Sequence, residues 1–269
     1  MIGTNLAITT KNYSVAGNVT YDTDALAYFT SNTAITSAAD KNAINTFYLG
    51  LKSDNIYTKI YWMILPIWGN ALNSKWNLIN NRTFDMTFSS GWTYASTGIT
   101  PTNAYADNFL IPLTYLQQNN SHLSFYSGTN DAAGNKFEIG SSGNPSTGTN
   151  SIVISTKYTG NLFFGKVNAL NSTQVANTDS SGFYITSRIN STNQEIFRNG
   201  VKTTAANNST GLSANSINVG RWNNPGGTPY YSTRQCRFAS CGEGFTDTDA
   251  TNFKNRVNTL LTYFGINTF

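Results

Sequence analysis

The sequence predicts a mainly β protein: a two-sheet sandwich with a helical hairpin near its N-terminus and one helix at its C-terminus. From Phe84 onward, short apolar runs alternate with loops rich in Gly, Asn, Ser and Pro, at spacings of roughly 8–15 residues that are typical of sandwiches. Near the C-terminus the apolar positions change to the 3–4 spacing of a helix. The sequence lacks a 20–50-residue repeat, which disfavours propellers and solenoids.

The composition is typical of β proteins that function outside the cell. The chain has 269 residues, of which 39% are apolar, enough to bury one sizeable core. Charged residues make up only 11%, against about 25% in ordinary soluble domains. The net charge is +4, but Lys and Arg are scattered singly, so we do not expect a nucleic-acid partner. No signal-peptide pattern and no long apolar run are present, so we expect neither Sec export nor membrane insertion.

The two cysteines are predicted to be free thiols. Cys236 and Cys241 lie five positions apart on one predicted strand. An odd separation places them on opposite faces, with their Cα atoms about 16 Å apart, beyond the reach of a disulfide. Reduced cysteines fit synthesis in the cytoplasm.

Two helices are predicted after a polar arm at Met1–Val19. Asp22 opens the first, where its charge suits the positive end of the helix dipole. Ser37 with Asp40 caps the second, which carries an apolar stripe at 3–4 spacing. We expect the two helices to pack together as a hairpin.

A near-continuous apolar run, Lys59–Ile67, predicts a strand that is buried on both faces and ends at Pro66. Asn199 and Gly200 predict a type I′ turn between two later strands. The strands predicted after the first are Phe84–Ser89, Asn108–Leu116, His122–Ser127, Lys136–Gly140, Ser151–Lys157, Asn161–Val167, Gly182–Arg188, Gln194–Arg198, Val201–Thr204, Ser216–Trp222 and Arg234–Gly244.

Thr246 with Asp249 predicts the start of the final helix, as a capping box with Asp in place of Glu. Gly265 is its expected C′ residue. The apolar face of this helix consists of Ala250, Phe253, Val257, Leu260, Leu261 and Phe264.

Two phrases of the sequence resemble bacteriophage virion structural proteins with a concanavalin A-like (laminin G-like) jelly roll. One is Gly242-Glu-Gly-Phe-Thr-Asp-Thr-Asp before the last helix. The other consists of Leu51, Lys52, Lys59, Pro66, Gly69, Asn77 and Leu78. The resemblance implies that residues 1–80 form an arm, the helical hairpin and the first buried strand. Residues 81–269 would then form the jelly roll with its closing helix, and the two parts would make one compact unit.

The resemblance also implies a function: a fibre, tail or head-decoration component of a tailed phage, located in the virion. Its expected partners are other virion proteins and copies of itself, with host cell-surface polysaccharide as a further target. A carbohydrate-binding lectin module is the alternative, and a glycoside hydrolase is a third hypothesis.

The pattern of acidic residues argues against an enzyme. A glycosidase needs two carboxyl groups facing each other across the sugar, at roughly 5–9 Å. Glu138, Glu195 and Glu243 show no such pairing along a strand. The single histidine, His122, excludes a histidine-rich metal site. We therefore predict no catalytic residues and no cofactor.

A calcium site is a less favoured alternative. Asp131 with Asn135, or Asp107 with Asn108, offers oxygen ligands for calcium. Asx turns explain both pairs without a metal, so no metal ligands are assigned.

The candidate ligand site is a long polar loop near the C-terminus. Trp222, Asn223, Tyr230 and Tyr231 lie in or beside it, and amphipathic rings with neighbouring amides suit the faces and hydroxyl groups of sugars. The alternative is that Trp222 caps the sandwich core and the tyrosines pack against a neighbouring subunit.

Overall fold

The computed structural model describes residues 20–79, 83–143 and 149–269. The predicted arm, Met1–Val19, lies outside the described residues. The described helices are α1 (Thr23–Ser31), α2 (Ala38–Ser53), α3 (Ala71–Ser74), α4 (Pro112–Tyr115) and α5 (Asp247–Tyr263), with a 3₁₀ turn at Tyr57–Lys59. The strands are β1 (Ile60–Ile64), β2 (Thr87–Phe88), β3 (Trp92–Ala95), β4 (Gly98–Pro101), β5 (Ala106–Asp107), β6 (Ser121–Ser127), β7 (Ile139–Ser141), β8 (Ser151–Tyr158), β9 (Leu162–Ala169), β10 (Thr173–Ala176), β11 (Gly182–Arg188), β12 (Gln194–Arg198), β13 (Val201–Ala205), β14 (Asn218–Val219) and β15 (Cys236–Gly242).

These strands form two antiparallel sheets. Sheet A has the order β13-β12-β11-β6-β15-β4-β3, and β1 pairs with the C-terminal half of β15. Sheet B has the order β10-β9-β8-β7-β14-β5-β2. Apolar side chains from both sheets meet between them in one cluster, which includes Trp62, Leu123, Ile154 and Phe163. The predicted fold class, a mainly β sandwich with an N-terminal helical hairpin and a C-terminal helix, is confirmed.

Helices cover the outer face of sheet A. α2 and α5 pack there over Phe183, Ile185 and Phe238 of the sheet. Phe253 of α5 is fully buried, with its ring centroid 5.8 Å from those of Phe183 and Phe238. The helices therefore supply a second apolar layer outside the sandwich.

The predicted helix ends are confirmed. Asp22 is the N-cap of α1, and its carboxylate accepts a bond from the Asp24 N–H at 3.0 Å. At the start of α5 the Thr246 N–H donates to Asp249 Oδ2 at 2.9 Å, and the Asp249 N–H donates back to Thr246 Oγ1 at 3.2 Å. Gly265 ends α5 with a φ of 69°, in the left-handed region that favours glycine.

The two phrases that resemble virion proteins meet in space. Lys59, before β1, forms an ion pair with Asp249 of α5 at 2.7 Å. Its carbonyl also accepts a bond from the Glu243 N–H at 2.8 Å. At Gly242 a Cβ atom would collide with that same carbonyl, so a side chain there would force β1 and β15 apart. Lys59, Gly242 and Asp249 of these two phrases therefore have structural roles, because they join β1 to β15 and to α5.

Some predicted elements differ from the structure. The predicted strand Asn108–Leu116 is wrong, because Pro112 opens the short helix α4 there. The Lys136–Gly140 strand begins only at Ile139, and Ser216–Trp222 shrinks to Asn218–Val219. The hairpin of β3 and β4 and the edge strand β10 were not predicted.

The prediction that the two cysteines point to opposite faces is also wrong. Both are buried in the cluster between the sheets, because the register of β15 against β6 shifts between Cys236 and Phe238. The shift is a bulge, which adds one residue and returns Cys241 to the inner face. Both thiols are free, as predicted, and burial raises the pKa of each.

Candidate functional site

The predicted ligand loop lies on the outer face of sheet B, where it follows β14. Arg221 and Tyr231 pair at its two ends as an isolated antiparallel bridge. The Asn223 N–H donates to the Gly140 carbonyl at 3.0 Å, and the Asn223 carbonyl accepts from the Ser142 N–H at 2.9 Å. Backbone bonds to the sheet therefore fix where the loop begins and ends.

The loop borders a cavity of about 290 Å³. Three of the four predicted residues, Trp222, Asn223 and Tyr231, line it. Its remaining lining consists of Arg221, Asn224, Pro225, Gly226, Gly227 and Pro229. Aromatic rings, amides and backbone thus meet in one concave site. The site lies in the loop that the sequence analysis had selected for its aromatic and amide residues.

Tyr230 does not line the cavity. Its ring packs on Phe137, with the centroids 5.8 Å apart, in an aromatic cluster that also contains Trp222 at 5.2 Å from Phe137. This cluster rests on Val153 and Phe164 of sheet B. The prediction that Trp222 caps the core between the sheets is therefore wrong: Trp222 packs on the outside of sheet B.

The Asn223 side chain stabilises the loop itself. Its side-chain amide donates to the Ser216 carbonyl at 2.8 Å, which ties the loop to the segment before β14. The Nε1 of Trp222 is buried and has no hydrogen-bond partner among the described residues. Asn223 thus stabilises the cavity wall as well as lining it.

Arg221 is a site residue that the sequence analysis missed. Its guanidinium lies over the ring of Tyr105, 3.5 Å from the centroid, and its Nε donates to Asn218 Oδ1 at 2.8 Å. Tyr105 precedes β5 and lies far from the loop in sequence, so only the pairing of β14 with β5 brings them together. The sole local signal was an arginine directly before Trp222.

A second cation borders the aromatic cluster. The Lys166 ammonium lies 5.9 Å from the ring centroid of Trp222 and 5.7 Å from that of Phe164. Lys166 is 8% exposed, and its burial lowers the pKa of the ammonium to about 8. The site is therefore flanked by positive charge.

The three glutamates are engaged in the fold. Glu138 is fully buried; its Oε1 accepts from Arg234 Nη1 at 2.8 Å and from Ser232 Oγ at 3.1 Å. Glu195 lies 3.5 Å from the Lys202 ammonium. Glu243 accepts a bond from the Tyr61 hydroxyl at 2.9 Å, and burial, together with this contact, raises the pKa of Tyr61 to about 12.

The two pairs of residues weighed as calcium ligands have other partners. Asp131 forms ion pairs with Lys136 at 2.7 Å and Arg234 at 2.6 Å, so cationic side chains already occupy its oxygens. Asp107 accepts from the Phe109 N–H and Asn108 from the Leu110 N–H, which are the Asx turns that the sequence predicted. In the described ranges no group of three or more His, Cys, Asp or Glu side chains is arranged to hold a metal ion.

His122 lies against α5, away from the cavity. Its Nε2 is 3.0 Å from Ser240 Oγ, which is 2.7 Å from Ser124 Oγ. The imidazole stacks on Phe245 at 3.8 Å and is fully buried, so a substrate cannot reach it. Burial lowers the pKa of His122 to about 3, which keeps the ring neutral near pH 7.

Comparison with known proteins gives the fold. No family model matches the sequence, and no curated protein is similar to it at a significant level. Three similar structures are domain 4 of AbnA, a GH43 extracellular arabinanase from Geobacillus stearothermophilus in complex with arabinotriose, a Trypanosoma rangeli sialidase in complex with 2,3-difluorosialic acid, and the binding domain of botulinum neurotoxin serotype D.

The match to the arabinanase domain has a TM-score of 0.51 and 12% identity, and it covers 72% of this chain and 98% of that domain. For the sialidase the TM-score is 0.50 with 8% identity over 85% of this chain and 40% of that chain. For the toxin domain it is 0.50 with 10% identity over 75% and 52%. At these identities the likeness shows a shared jelly-roll or sandwich fold alone. This chain also spans only about half or less of the toxin and sialidase chains.

The prediction that this chain is not an enzyme is contradicted. Two of the similar structures are named as a sialidase and as a domain of an arabinanase, so the fold also occurs in enzymes that act on glycosides. The prediction rested on the absence of acidic pairs along one strand, which tests only a single way of placing two carboxyl groups. Carboxyl groups brought together from different strands escape such a sequence test.

The described residues include no helix that is both long and apolar enough to cross a membrane. The three structures named above do not bear on a virion location or on virion partners, which stay predictions.

Proposed function

We propose that this protein is a lectin-like carbohydrate-binding module and that the sugar enters the cavity beside the loop Arg221–Tyr231. The observation that carries this proposal is the lining of the cavity, where Trp222 and Tyr231 meet the amides of Asn223 and Asn224. Sugars present apolar faces to aromatic rings and hydroxyl groups to amides, so this combination of groups suits them.

The rigidity of the cavity wall supports the proposal. Backbone hydrogen bonds of Asn223 attach the start of the loop to sheet B. Just after the loop ends, the Ser232 N–H donates to the Gly220 carbonyl, next to β14, at 2.8 Å. A preformed site loses less conformational entropy on binding than a mobile loop would. The arabinotriose complex of the similar arabinanase domain is a further point in favour, because the two chains share the fold.

A binding panel of oligosaccharides tests the proposal. Isothermal titration of the full chain should reveal at least one ligand, and Tyr231→Ala should weaken its binding about 3- to 10-fold through the loss of one ring contact. Tyr263→Ala is the matched control, because Tyr263 is an exposed tyrosine on α5, on the other side of the molecule. The proposal is rejected if no saccharide binds, or if the two variants bind equally well.

We also propose, on the sequence resemblance, that the module is carried on a phage particle in several copies. Its partners would be copies of itself and other virion proteins, and its target would be host surface polysaccharide. Several weak sites on one particle raise avidity by about 10²–10⁴ without new contacts. Because Lys59, Gly242 and Asp249 have structural roles, the resemblance supports a shared architecture more directly than a shared location. Antibody labelling of intact particles tests the location, and unlabelled particles would reject it.

A further inference from the structure

The guanidinium of Arg221 is held in one orientation at the edge of the cavity. It stacks on Tyr105 at 3.5 Å, and its Nε donates to Asn218 Oδ1 at 2.8 Å. Asn218 is fully buried and paired in register with Asp107 on one side and Gly140 on the other, so its position is fixed by the sheet. A planar guanidinium that is stacked and bonded at Nε presents its two terminal nitrogens as a fixed fork.

Within the part of the chain that the structure describes, that fork donates no hydrogen bond. Neither Nη1 nor Nη2 of Arg221 has an acceptor there, and none of the described carboxylates forms an ion pair with this side chain. The other described arginines differ in this respect. Each donates at least one bond from a terminal nitrogen to a protein oxygen, namely Arg188, Arg198, Arg234, Arg237 and Arg256.

No carboxylate among the described residues forms an ion pair with this charge. None of the residues that line the cavity is acidic. Asp107 is the cross-strand neighbour of Asn218, but its two oxygens accept from the Phe109 N–H and the Ser216 hydroxyl, each at 2.8 Å. Lys166 adds a second positive charge beside Trp222. An anion that enters the cavity therefore meets the guanidinium of Arg221, which has no carboxylate partner among the described residues.

We infer that the cavity takes an acidic sugar, and that Arg221 binds the anionic group of that sugar with its two terminal nitrogens. This inference rests on the proposed function and specifies its ligand class. A carboxylate on a uronic or sialic acid fits the fork with two parallel hydrogen bonds, and a sulfate or phosphate ester offers the same chemistry. The rings and amides of the loop remain for the sugar itself.

Tyr105 and Asn218 are positioning residues for Arg221. Tyr105→Ala removes the ring beneath the guanidinium, and Asn218→Ala removes the acceptor of Nε. Each should weaken the binding of acidic sugars more than that of neutral ones. A purely structural role for Asn218 would instead lower the affinity for both kinds of sugar together.

The experiment compares matched saccharides that differ only in charge. Trigalacturonic acid is titrated against its carboxyl-reduced trimer, and sialyllactose against its methyl ester, with a sulfated trimer as a third arm. We expect the acidic member of at least one pair to bind about tenfold more tightly at low salt, and added salt to reduce this preference. Arg221→Gln should abolish the preference by weakening the acidic member of each pair more than the neutral one. Arg221→Lys keeps the charge without the fork and should retain only part of the preference.

Arg256→Gln is the matched control, since it removes one arginine from α5 and should not alter the preference. The thermal transition of each variant confirms that it folds. Tighter binding of the sulfated trimer alone would support an anion site for an ester in place of a carboxylate. Equal binding of acidic and neutral sugars, or equal losses for both on Arg221→Gln, would overturn the inference but leave the proposed function standing. If no saccharide in any arm binds, both fail.

Discussion

The outer faces of the two sheets are covered in different ways. On sheet A, α2 and α5 bury an apolar layer that includes Phe183, Phe238 and Phe253. On sheet B, loops cover a smaller aromatic cluster built on Phe137 and Phe164, and the side chains around it include buried cations and amides. The two faces therefore have different roles: a helix-covered face stabilises the fold, while a loop-covered face can present polar groups to a ligand.

The largest expected effect is on the helix-covered face. Phe253→Ala should lower the free energy of unfolding by about 3–5 kcal/mol, because the fully buried ring contacts Phe183, Phe238 and Phe245 and its removal leaves a cavity. Urea denaturation measures the change. The control Asn255→Ala, at an exposed position of the same helix, should stay within about 0.5 kcal/mol. Similar losses at both positions would show that α5 is not docked on sheet A.

Near the loop-covered face, Arg234 and Glu138 form a fully buried ion pair. Arg234→Met should destabilise by about 3–5 kcal/mol, because it leaves the fully buried Glu138 without its partner. Arg256→Met breaks the partly exposed pair with Asp54 and should cost less, about 1 kcal/mol.

Replacing both partners of the buried pair distinguishes the charge effect from packing. The double variant Arg234→Met with Glu138→Gln should recover part of the loss, since no unpaired charge then remains buried. A double variant no more stable than Arg234→Met alone would contradict this explanation.

The pH dependence of stability tests the burial of His122 beneath α5. Burial lowers the pKa of its imidazole to about 3 in the folded protein, against about 6.5 unfolded, so below pH 6.5 the unfolded chain binds a proton that the folded chain does not. Stability should therefore fall as the pH drops, by about 2 kcal/mol at pH 5 from this group. Denaturation at pH 7 and pH 5 measures the difference, which His122→Gln should largely remove. The pKa values of Asp131 and Asp249 are also lowered, so their contributions are lost only in stronger acid.

Elements with a complete local signal could be predicted from the sequence. The capping box at Thr246 and Asp249 is one, and the turn at Asn199 and Gly200, whose φ angles are 51° and 89°, is another. Each of these depends on residues within a few positions of one another. The two-residue strand β5 carries no such signal, because only its pairing with β2 and β14 makes it extended.

The residues of the candidate site also differ in whether a local sequence signal could predict them. Trp222, Asn223 and Tyr231 could be predicted because aromatic and amide residues are concentrated in one loop. Arg221 could not be assigned its role, since its orientation depends on Tyr105, which the sheet brings from an earlier part of the chain. The inner position of both cysteines likewise depends on a bulge that no local pattern announced.

The smallest expected effect concerns two neighbouring tyrosines of the loop. Tyr230 packs on Phe137, whereas Tyr231 lines the cavity, so the two should separate stability from binding. Tyr230→Ala should lower the free energy of unfolding by about 1–2 kcal/mol, because the ring is only partly buried and loses one aromatic contact. Tyr231→Ala should change it by no more than about 0.5 kcal/mol. Thermal unfolding of both variants, measured beside their saccharide affinities, checks the pair of expectations. A large stability loss for Tyr231→Ala would mean that this ring supports the loop, and the distinction between stabilising and binding residues would not hold on this face.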